Sequence, residues 1–318
     1  MLYNRKCLLR IEDTSIIAMD RRVLSLFILV SLASGCKREP EIPYNSWIEN
    51  APMPESTSVK TAFEGYSKAA RDAEALAGNL AERISISPTL RAKLETKLEP
   101  AVNELRNASK RKTLGFRFVP SSPSDPPVQA RGWALLGRSL TYRISNNAKV
   151  GNLDKAIDDT LVATKFGFDL LAGSAIEASL GMTIVDDARR ALTPYLNKLG
   201  AGQLGKLNEG MAEILAGKPS ITVTLENERL NMRVGVQRIQ DAYRDRDFSA
   251  IRAEIGPDIE KAIAHLNNDV RPNGDAARLK YFKGFAEEVD KITRFWIDEV
   301  AFPADKRHRN EKGDPQLP

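Results

Sequence analysis

The fold class of this 318-residue chain is decided by residues 131–163, RGWALLGRSLTYRISNNAKVGNLDKAIDDTLVA. Apolar residues recur every three or four positions on both sides of a turn at residues 151–154, which is the spacing of one face of an α-helix. The stretch therefore predicts two helices that meet at a tight turn. The apolar faces consist of Trp133, Leu136, Leu140 and Ile144 before the turn, and Ile157, Leu161, Phe168 and Leu171 after it.

The same helical spacing extends over most of the chain. Residues 57–111 read as two helices of an antiparallel hairpin, and residues 128–302 read as a larger helical domain. Between them, residues 112–127 contain four prolines, which predicts a loop or domain junction. The sequence shows no convincing alternation of apolar and polar residues with a period of two, which a β-strand would show. We therefore expect an all-α fold built as an irregular stack of antiparallel helical hairpins.

A family resemblance supports this expectation. The segment GNLDKAIDDTLVA at 151–163 is similar to the second half of a tetratricopeptide repeat, and Trp133, Leu136 and Gly137 keep the Trp-x-x-Leu-Gly spacing of its first half. Gly137 and Gly151 are about twice as far apart as the repeat requires, and no second copy follows at a fixed period. The resemblance implies helical hairpins stacked side by side, without a regular repeat array.

The stretch MDRRVLSLFILVSLASGC, residues 19–36, has the layout of a secretory signal peptide. A short basic segment precedes a mostly apolar one, and small residues precede Cys36. The apolar segment, 23–33, spans about 16 Å as a helix, whereas a bilayer core is roughly 30 Å thick. We therefore favour a cleaved signal over a retained membrane anchor.

The end of this signal, Ala33-Ser34-Gly35-Cys36, resembles a bacterial lipoprotein lipobox, with Ala33 in place of the usual leucine. The resemblance implies cleavage between Gly35 and Cys36 and diacylglycerol on the Cys36 sulfur. Attached acyl chains contribute about 0.8 kcal/mol per buried methylene, so several of them would hold the chain on a membrane.

This interpretation divides the terminal parts of the chain. Residues 1–35 form the signal region, with Met19 as the expected true start. Residues 36–56 contain four prolines and are expected to form the lipid anchor and an extended tether. The polar residues 303–318 are expected to be a disordered tail.

Composition limits the chemistry. Two cysteines and two histidines are too few for zinc fingers, iron–sulfur clusters or a disulfide framework, so we expect no metal and no cofactor. The net charge is +5, and without residues 1–35, which hold five basic and three acidic residues, it is +3, too small to indicate a nucleic-acid partner. Residues 200–205 match G-x-G-x-x-G, but the sequence before them reads as helix, which favours a helix linker over a dinucleotide site. Asp154, Asp158 and Asp159 favour a solvated helix start over a metal cluster.

One acidic residue interrupts an apolar stripe. In the helix after Pro219, Glu228 fills an inward position in the seven-residue gap between Leu225 and Met232. A buried carboxylate is costly without a partner, and Arg131 and Arg138 could both face a neighbouring helix. We favour a structural core ion pair over a ligand-binding or catalytic role.

These features predict a binding or scaffold module of the bacterial cell envelope, without enzymatic activity. Its partners would be the membrane, through Cys36, and another envelope protein or peptide. Lys37 after the cysteine, where some inner-membrane lipoproteins carry aspartate, favours the outer membrane facing the periplasm. Two alternatives stay open: a cell-wall hydrolase that uses Glu228 as general acid, and a structural lipoprotein without a specific ligand.

The lipobox interpretation predicts the outcome of a single substitution. Cys36→Ser should abolish incorporation of labelled fatty acid and leave uncleaved precursor, because both modification and cleavage depend on the cysteine. Metabolic labelling and the mass of the membrane-bound protein would measure this. Normal cleavage and release of the mutant would instead indicate an ordinary signal peptide.

Overall fold

A computed structural model describes residues 61–78, 87–111, 114 and 129–302. Within these ranges all regular elements are helical, which confirms the all-α prediction. No helix in the same ranges is long and apolar enough to cross a membrane. The predicted signal region, Cys36, the tether, most of the proline-rich loop and the C-terminal tail lie outside the described residues.

The α-helices are numbered here in chain order. They are α1 (Ala62–Ala77), α2 (Pro88–Ser109), α3 (Ala130–Lys149), α4 (Leu153–Asp169), α5 (Ala175–Leu192), α6 (Ala201–Gly217), α7 (Ile221–Asp245), α8 (Ser249–Ile255), α9 (Glu260–His265) and α10 (Gly274–Ala301). Short 3₁₀ segments lie at Leu170–Ala172, Thr193–Lys198, Gly256–Ile259 and Arg271–Asn273, and a π-helical segment at Leu266–Val270.

The chain divides into two compact units. Among the described residues, the larger comprises those up to Gly235 together with residues 292–302, and the smaller comprises Val236–Lys291. The division falls inside α7 and α10, so each of these helices contributes to both units.

In the larger unit, each helix from α1 to α5 packs against the next one in the chain, and α6 packs on α4. The hairpin predicted for residues 57–111 corresponds to α1 and α2. Helix α1 begins with a capping box, in which the Thr61 side chain accepts the N–H of Glu64 and the Glu64 carboxylate accepts the N–H of Thr61. Helix α2 begins with Ser87 as its cap and Pro88 in its first turn, where proline is tolerated.

Trp133 on α3 links the hairpin to the rest of the core. It is fully buried, and its indole Nε1 donates a hydrogen bond of 3.2 Å to the carbonyl oxygen of Tyr66 on α1. Its ring also meets Phe63 edge to face, with 5.9 Å between the ring centroids. Burying the aromatic ring while satisfying its only donor lets Trp133 join two layers of the stack.

The turn between α3 and α4 and the crossing of α4 with α5 both depend on glycine. Gly151 has φ +84°, a conformation that side chains disfavour, and it reverses the chain between α3 and α4. At the crossing of α4 and α5, a Cβ on Gly181 would lie 2.2 Å from the carbonyl oxygen of Gly167. The two helix backbones therefore touch directly at this point.

In the smaller unit, aromatic residues form the contacts between elements. Phe282 is buried, and its ring lies edge to face against Tyr243, with 5.9 Å between centroids. The Arg271 guanidinium lies 4.4 Å from the centre of the Tyr243 ring and donates a hydrogen bond to the Tyr243 carbonyl oxygen.

The α4–α5 crossing predicts a large difference between two glycine substitutions. Gly181→Ala should reduce the free energy of unfolding by about 1–3 kcal/mol, because the backbone it meets cannot move aside. Gly205→Ala on α6 is the matched control, since its Cβ would meet nothing within 4 Å. It should be neutral or stabilise by up to about 1 kcal/mol, as alanine favours helix. Chemical denaturation followed by circular dichroism would measure both, and equal stabilities would contradict the crossing.

Candidate functional site

Glu228 on α7 occupies a buried position, with 8% of its surface exposed. This confirms the inward orientation that the apolar stripe predicts. Its Oε2 accepts a hydrogen bond of 3.1 Å from the backbone N–H of Ala175, the first residue of α5, and its carboxylate also bonds with the Asn231 side chain. Glu228 is therefore held at the start of another helix.

The arginines expected to pair with Glu228 lie elsewhere. Arg131 is exposed on α3, and Arg138 is half-buried, with its carbonyl oxygen accepting a hydrogen bond from Arg91. Within the described ranges the carboxylate of Glu228 is satisfied by Ala175 and Asn231 instead. The physical reason is that the first N–H groups of a helix lack partners within that helix and carry partial positive charge, so they can take the place of a cation.

A second carboxylate lies beside the first. Glu177 is 7% exposed and closes the capping box of α5, its Oε2 accepting the N–H of Ser174 at 2.5 Å. Two buried carboxylates thus accept from the consecutive N–H groups of residues 174 and 175. A Cβ on Gly173 would lie 2.2 Å from the Glu177 carboxylate, so a larger residue at 173 would displace it.

Two further side chains of α7 complete the site. The Thr224 hydroxyl donates to the carbonyl oxygen of Leu171 at 2.5 Å, and the Asn227 amide donates to the carbonyl oxygens of Ala172 and Gly173 at 2.7 and 3.1 Å. Thr224, Asn227, Glu228 and Asn231 follow one another at spacings of three, one and three, so they share one face of the helix. We call them the polar face of α7, and residues 170–174 the α4–α5 turn.

Burial dominates the electrostatics of the two carboxylates. It raises the pKa of Glu228 above its ordinary value, although the hydrogen bonds from Ala175 and Asn231 lower it in part. Burial also raises the pKa of Glu177, and the nearby charge of Glu228 raises it further, while Ser174 opposes both effects. The pair consequently holds protons more tightly than exposed carboxylates do.

A separate network of ionised side chains joins α2, α3 and α4. Glu95 of α2 accepts hydrogen bonds from Ser139 and Arg143 of α3, and Arg143 also pairs with Glu99. The Nε of Arg91 lies 2.8 Å from Oε1 of Glu95, close enough for an ion pair but not aligned as a hydrogen bond. The sequence pattern did not predict this network, although Glu95 and Glu99 sit one turn apart beside the buried Leu94 and Leu98.

The three aspartates considered for a metal cluster have three different partners. Asp154 accepts from Gln203 at 3.2 Å, Asp158 pairs with Lys206 at 2.5 Å, and Asp159 pairs with Arg106 at 2.7 Å. Asp159 is buried, with 2% of its surface exposed, so the prediction that it belongs to a solvated helix start was wrong. In the part of the chain that the structure describes, no cluster of metal-ligating side chains occurs.

The glycine-rich motif belongs mainly to a helix. Gly200 is the N-cap residue of α6, and Gly202 and Gly205 lie within that helix. The segment before it is the 3₁₀ helix at Thr193–Lys198, where a dinucleotide-binding turn would require a strand. The helix linker predicted for residues 200–205 is therefore shorter than the motif, because α6 begins at Ala201.

Comparison with protein-family models, with curated proteins and with solved structures found no match to this chain. The chemistry of the site therefore has to be inferred from its own residues. Two carboxylates with raised pKa values, held by backbone groups and amides, can bind and release protons. A role in general acid catalysis would further require a substrate to reach them.

The ion pair between Arg106 and the buried Asp159 leads to a stability prediction. Arg106→Met would leave the Asp159 carboxylate buried without its cation, which should lower the free energy of unfolding by on the order of 3 kcal/mol. Arg189→Met is the control, because its partner Asp186 is paired on the surface and such pairs contribute at most about 1 kcal/mol. Urea denaturation would compare them, and equal losses would show that the Asp159 pair has no special weight.

Proposed function

We propose that the chain is a lipid-anchored, helical binding module of the bacterial cell envelope, which holds another envelope protein or peptide. The anchoring half of the proposal rests on the lipobox-like signal that ends at Cys36. The binding half rests on one observation, an exposed stripe of α6 that lacks formal charge.

Helix α6 packs on α4 through one side only. Ile214 is its only buried residue, Leu207 is partly buried against the core, and the Leu161 side chain of α4 lies where a Cβ on Gly210 would be. These inward positions follow helical spacing, so they define the inner face of α6. The opposite face points away from α4.

One stripe of that outer face lacks formal charge. Leu204 and Leu215 are 38% and 48% exposed, and they lie eleven residues apart, about three helical turns, on the same side of the helix. The exposed residues of this uncharged stripe are Ala201, Leu204, Asn208, Ala212 and Leu215, and the charged Lys206, Glu209 and Glu213 are exposed beside it. A surface helix ordinarily carries charged residues in this position, and exposed apolar faces mark interaction sites.

The side chains of this face favour a helical partner. The small side chains of Ala201 and Ala212 let a second helix approach closely, while Leu204 and Leu215 offer apolar anchors. The amphipathic helix of another envelope protein would bury its apolar side here. Such a partner would also extend the stack of helices in the direction in which it already runs.

Site-specific crosslinking in cells tests this proposal. A photoreactive residue at position 208 should give a crosslinked partner, because it would lie in the centre of the contact. Leu204→Glu together with Leu215→Glu should reduce that product at least about tenfold, since a charge buried without a partner weakens an interface by several kcal/mol. The control is the same photoreactive group at Lys97, an exposed position of α2.

Three outcomes would contradict the assignment in different ways. Equal crosslinking at 97 and 208 would mean that α6 has no preferred partner. Crosslinking only between copies of the chain would identify self-association. Failure to crosslink at any surface position would favour a structural lipoprotein without a specific ligand.

A second candidate, a cell-wall hydrolase, is favoured by the raised pKa of Glu228, since a general acid must keep its proton near neutral pH. Incubation of purified wall sacculi with the protein and with Glu228→Gln separates the two. The binding proposal predicts equal, background release of wall fragments. Release by wild type that is lost in the variant would establish the hydrolase.

A further inference from the structure

We propose that Glu177 and Glu228 make the attachment of α7 to the α4–α5 turn sensitive to protons. The attachment would be firm at acidic pH and would loosen as the pH rises. This inference rests on the contacts of the two carboxylates within the larger unit and is independent of the lipid anchor.

The attachment consists of hydrogen bonds between side chains of α7 and the backbone. Thr224 and Asn227 donate to carbonyl oxygens of the turn, whereas Glu228 accepts the N–H of Ala175. Thr224 and Glu228 are buried at this contact, with 2% and 8% of their surfaces exposed. A contact made of buried polar groups depends on every member being satisfied, so a change of charge on one member affects the whole attachment.

The two carboxylates lie near each other, and the charge of Glu228 raises the pKa of Glu177. The Ser174 N–H binds Oε2 of Glu177 at 2.5 Å, and the adjoining N–H of Ala175 binds Oε2 of Glu228 at 3.1 Å. Because these N–H groups are consecutive in the backbone, the two carboxylates must lie near each other. When both are ionised, two negative charges repel within a poorly solvated space.

The other charged groups of the surrounding elements have their own partners. On α7, Glu226 pairs with Arg229 at 2.8 Å on the exposed side of the helix. At the end of α4, Asp169 accepts from Lys165 and from the Tyr66 hydroxyl, each at 2.7 Å. The groups that act on the pair are therefore the carboxylates themselves, the two N–H groups, Ser174 and Asn231.

The direction of the pH effect follows from the direction of the pKa shifts. Both carboxylates have a pKa above the ordinary value, so the attached state binds protons more tightly than the detached state does. The stabilisation is fully present below the ordinary glutamate pKa of about 4.3 and is lost as the pH rises through the raised values.

Hydrogen exchange of the purified full-length protein tests the proposal. Deuterium uptake of peptides covering residues 170–178 would be measured from pH 5 to pH 8 and normalised to intrinsic exchange rates. Protection of the Ser174 and Ala175 amides should fall over this range, by about tenfold for each unit by which attachment raises the carboxylate pKa values. Peptides from α3 serve as the internal reference for global stability.

Matched variants identify the group responsible. Glu228→Gln keeps the shape and the acceptor but cannot ionise, so the fall in protection should shrink to less than about threefold. Glu226→Gln, two residues away on the exposed side, should retain the wild-type fall. Glu177→Gln should act like Glu228→Gln, and it provides a second test if the first variant unfolds.

Either of two results would overturn the proposal. One is protection that is constant from pH 5 to pH 8 in the wild type, and the other is an unchanged fall in both glutamine variants. Carbon-13 titration of the glutamate carboxyl groups adds an independent measurement. A Glu228 pKa at or below the ordinary value would refute the mechanism even if exchange varied with pH.

Discussion

The direct contact between α4 and α5 at Gly167 and Gly181 is the constraint on which the rest of the larger unit depends. Because the two backbones touch there, the position of α5 relative to α4 is fixed within a few residues of its first turn. The connection between the helices, residues 170–174, is then too short to move independently. The N–H groups at the start of α5 therefore face outward at a defined place, where the polar face of α7 meets them.

The larger unit uses two different solutions for buried charge. In the network across α2, α3 and α4, three acidic residues face three arginines: Glu95, Glu99 and Asp159 with Arg91, Arg106 and Arg143. At the start of α5, two carboxylates are compensated by backbone N–H groups and amides instead. Burial outweighs this compensation and keeps the pKa values of both carboxylates raised, as it also does for Asp159 in spite of its pairing with Arg106.

The sequence predicted the helices and the burial of Glu228, because both depend on the spacing of apolar residues within one helix. The capping box that contains Glu177 is also visible as Ser174-Ala175-Ile176-Glu177. Its proximity to Glu228 is not, since the two residues are 51 positions apart and meet only through the α4–α5 crossing. The arginine partners were wrong for a related reason: formal charges can be read from a sequence, whereas the start of a helix acts as a cation only once its neighbours are placed. The burial of Asp159 was not predicted because its partner, Arg106, lies on α2. The two residues are 53 positions apart in the chain, and only the packing of α2 on α4 brings them together.

The outer face of α6 and the polar face of α7 are physically connected through the chain. Only residues 218–220 separate the end of α6 from the start of α7, so the attachment of α7 to the α4–α5 turn also restrains the last turn of α6. Leu215, one of the two apolar anchors of the outer face, lies in that last turn. A partner helix that binds across α6 would favour the restrained state, and by thermodynamic linkage would also favour protonation of the Glu177–Glu228 pair. Binding and proton uptake would therefore strengthen each other, which gives a physical rationale for placing two carboxylates that are held by partial charges beside the proposed binding helix.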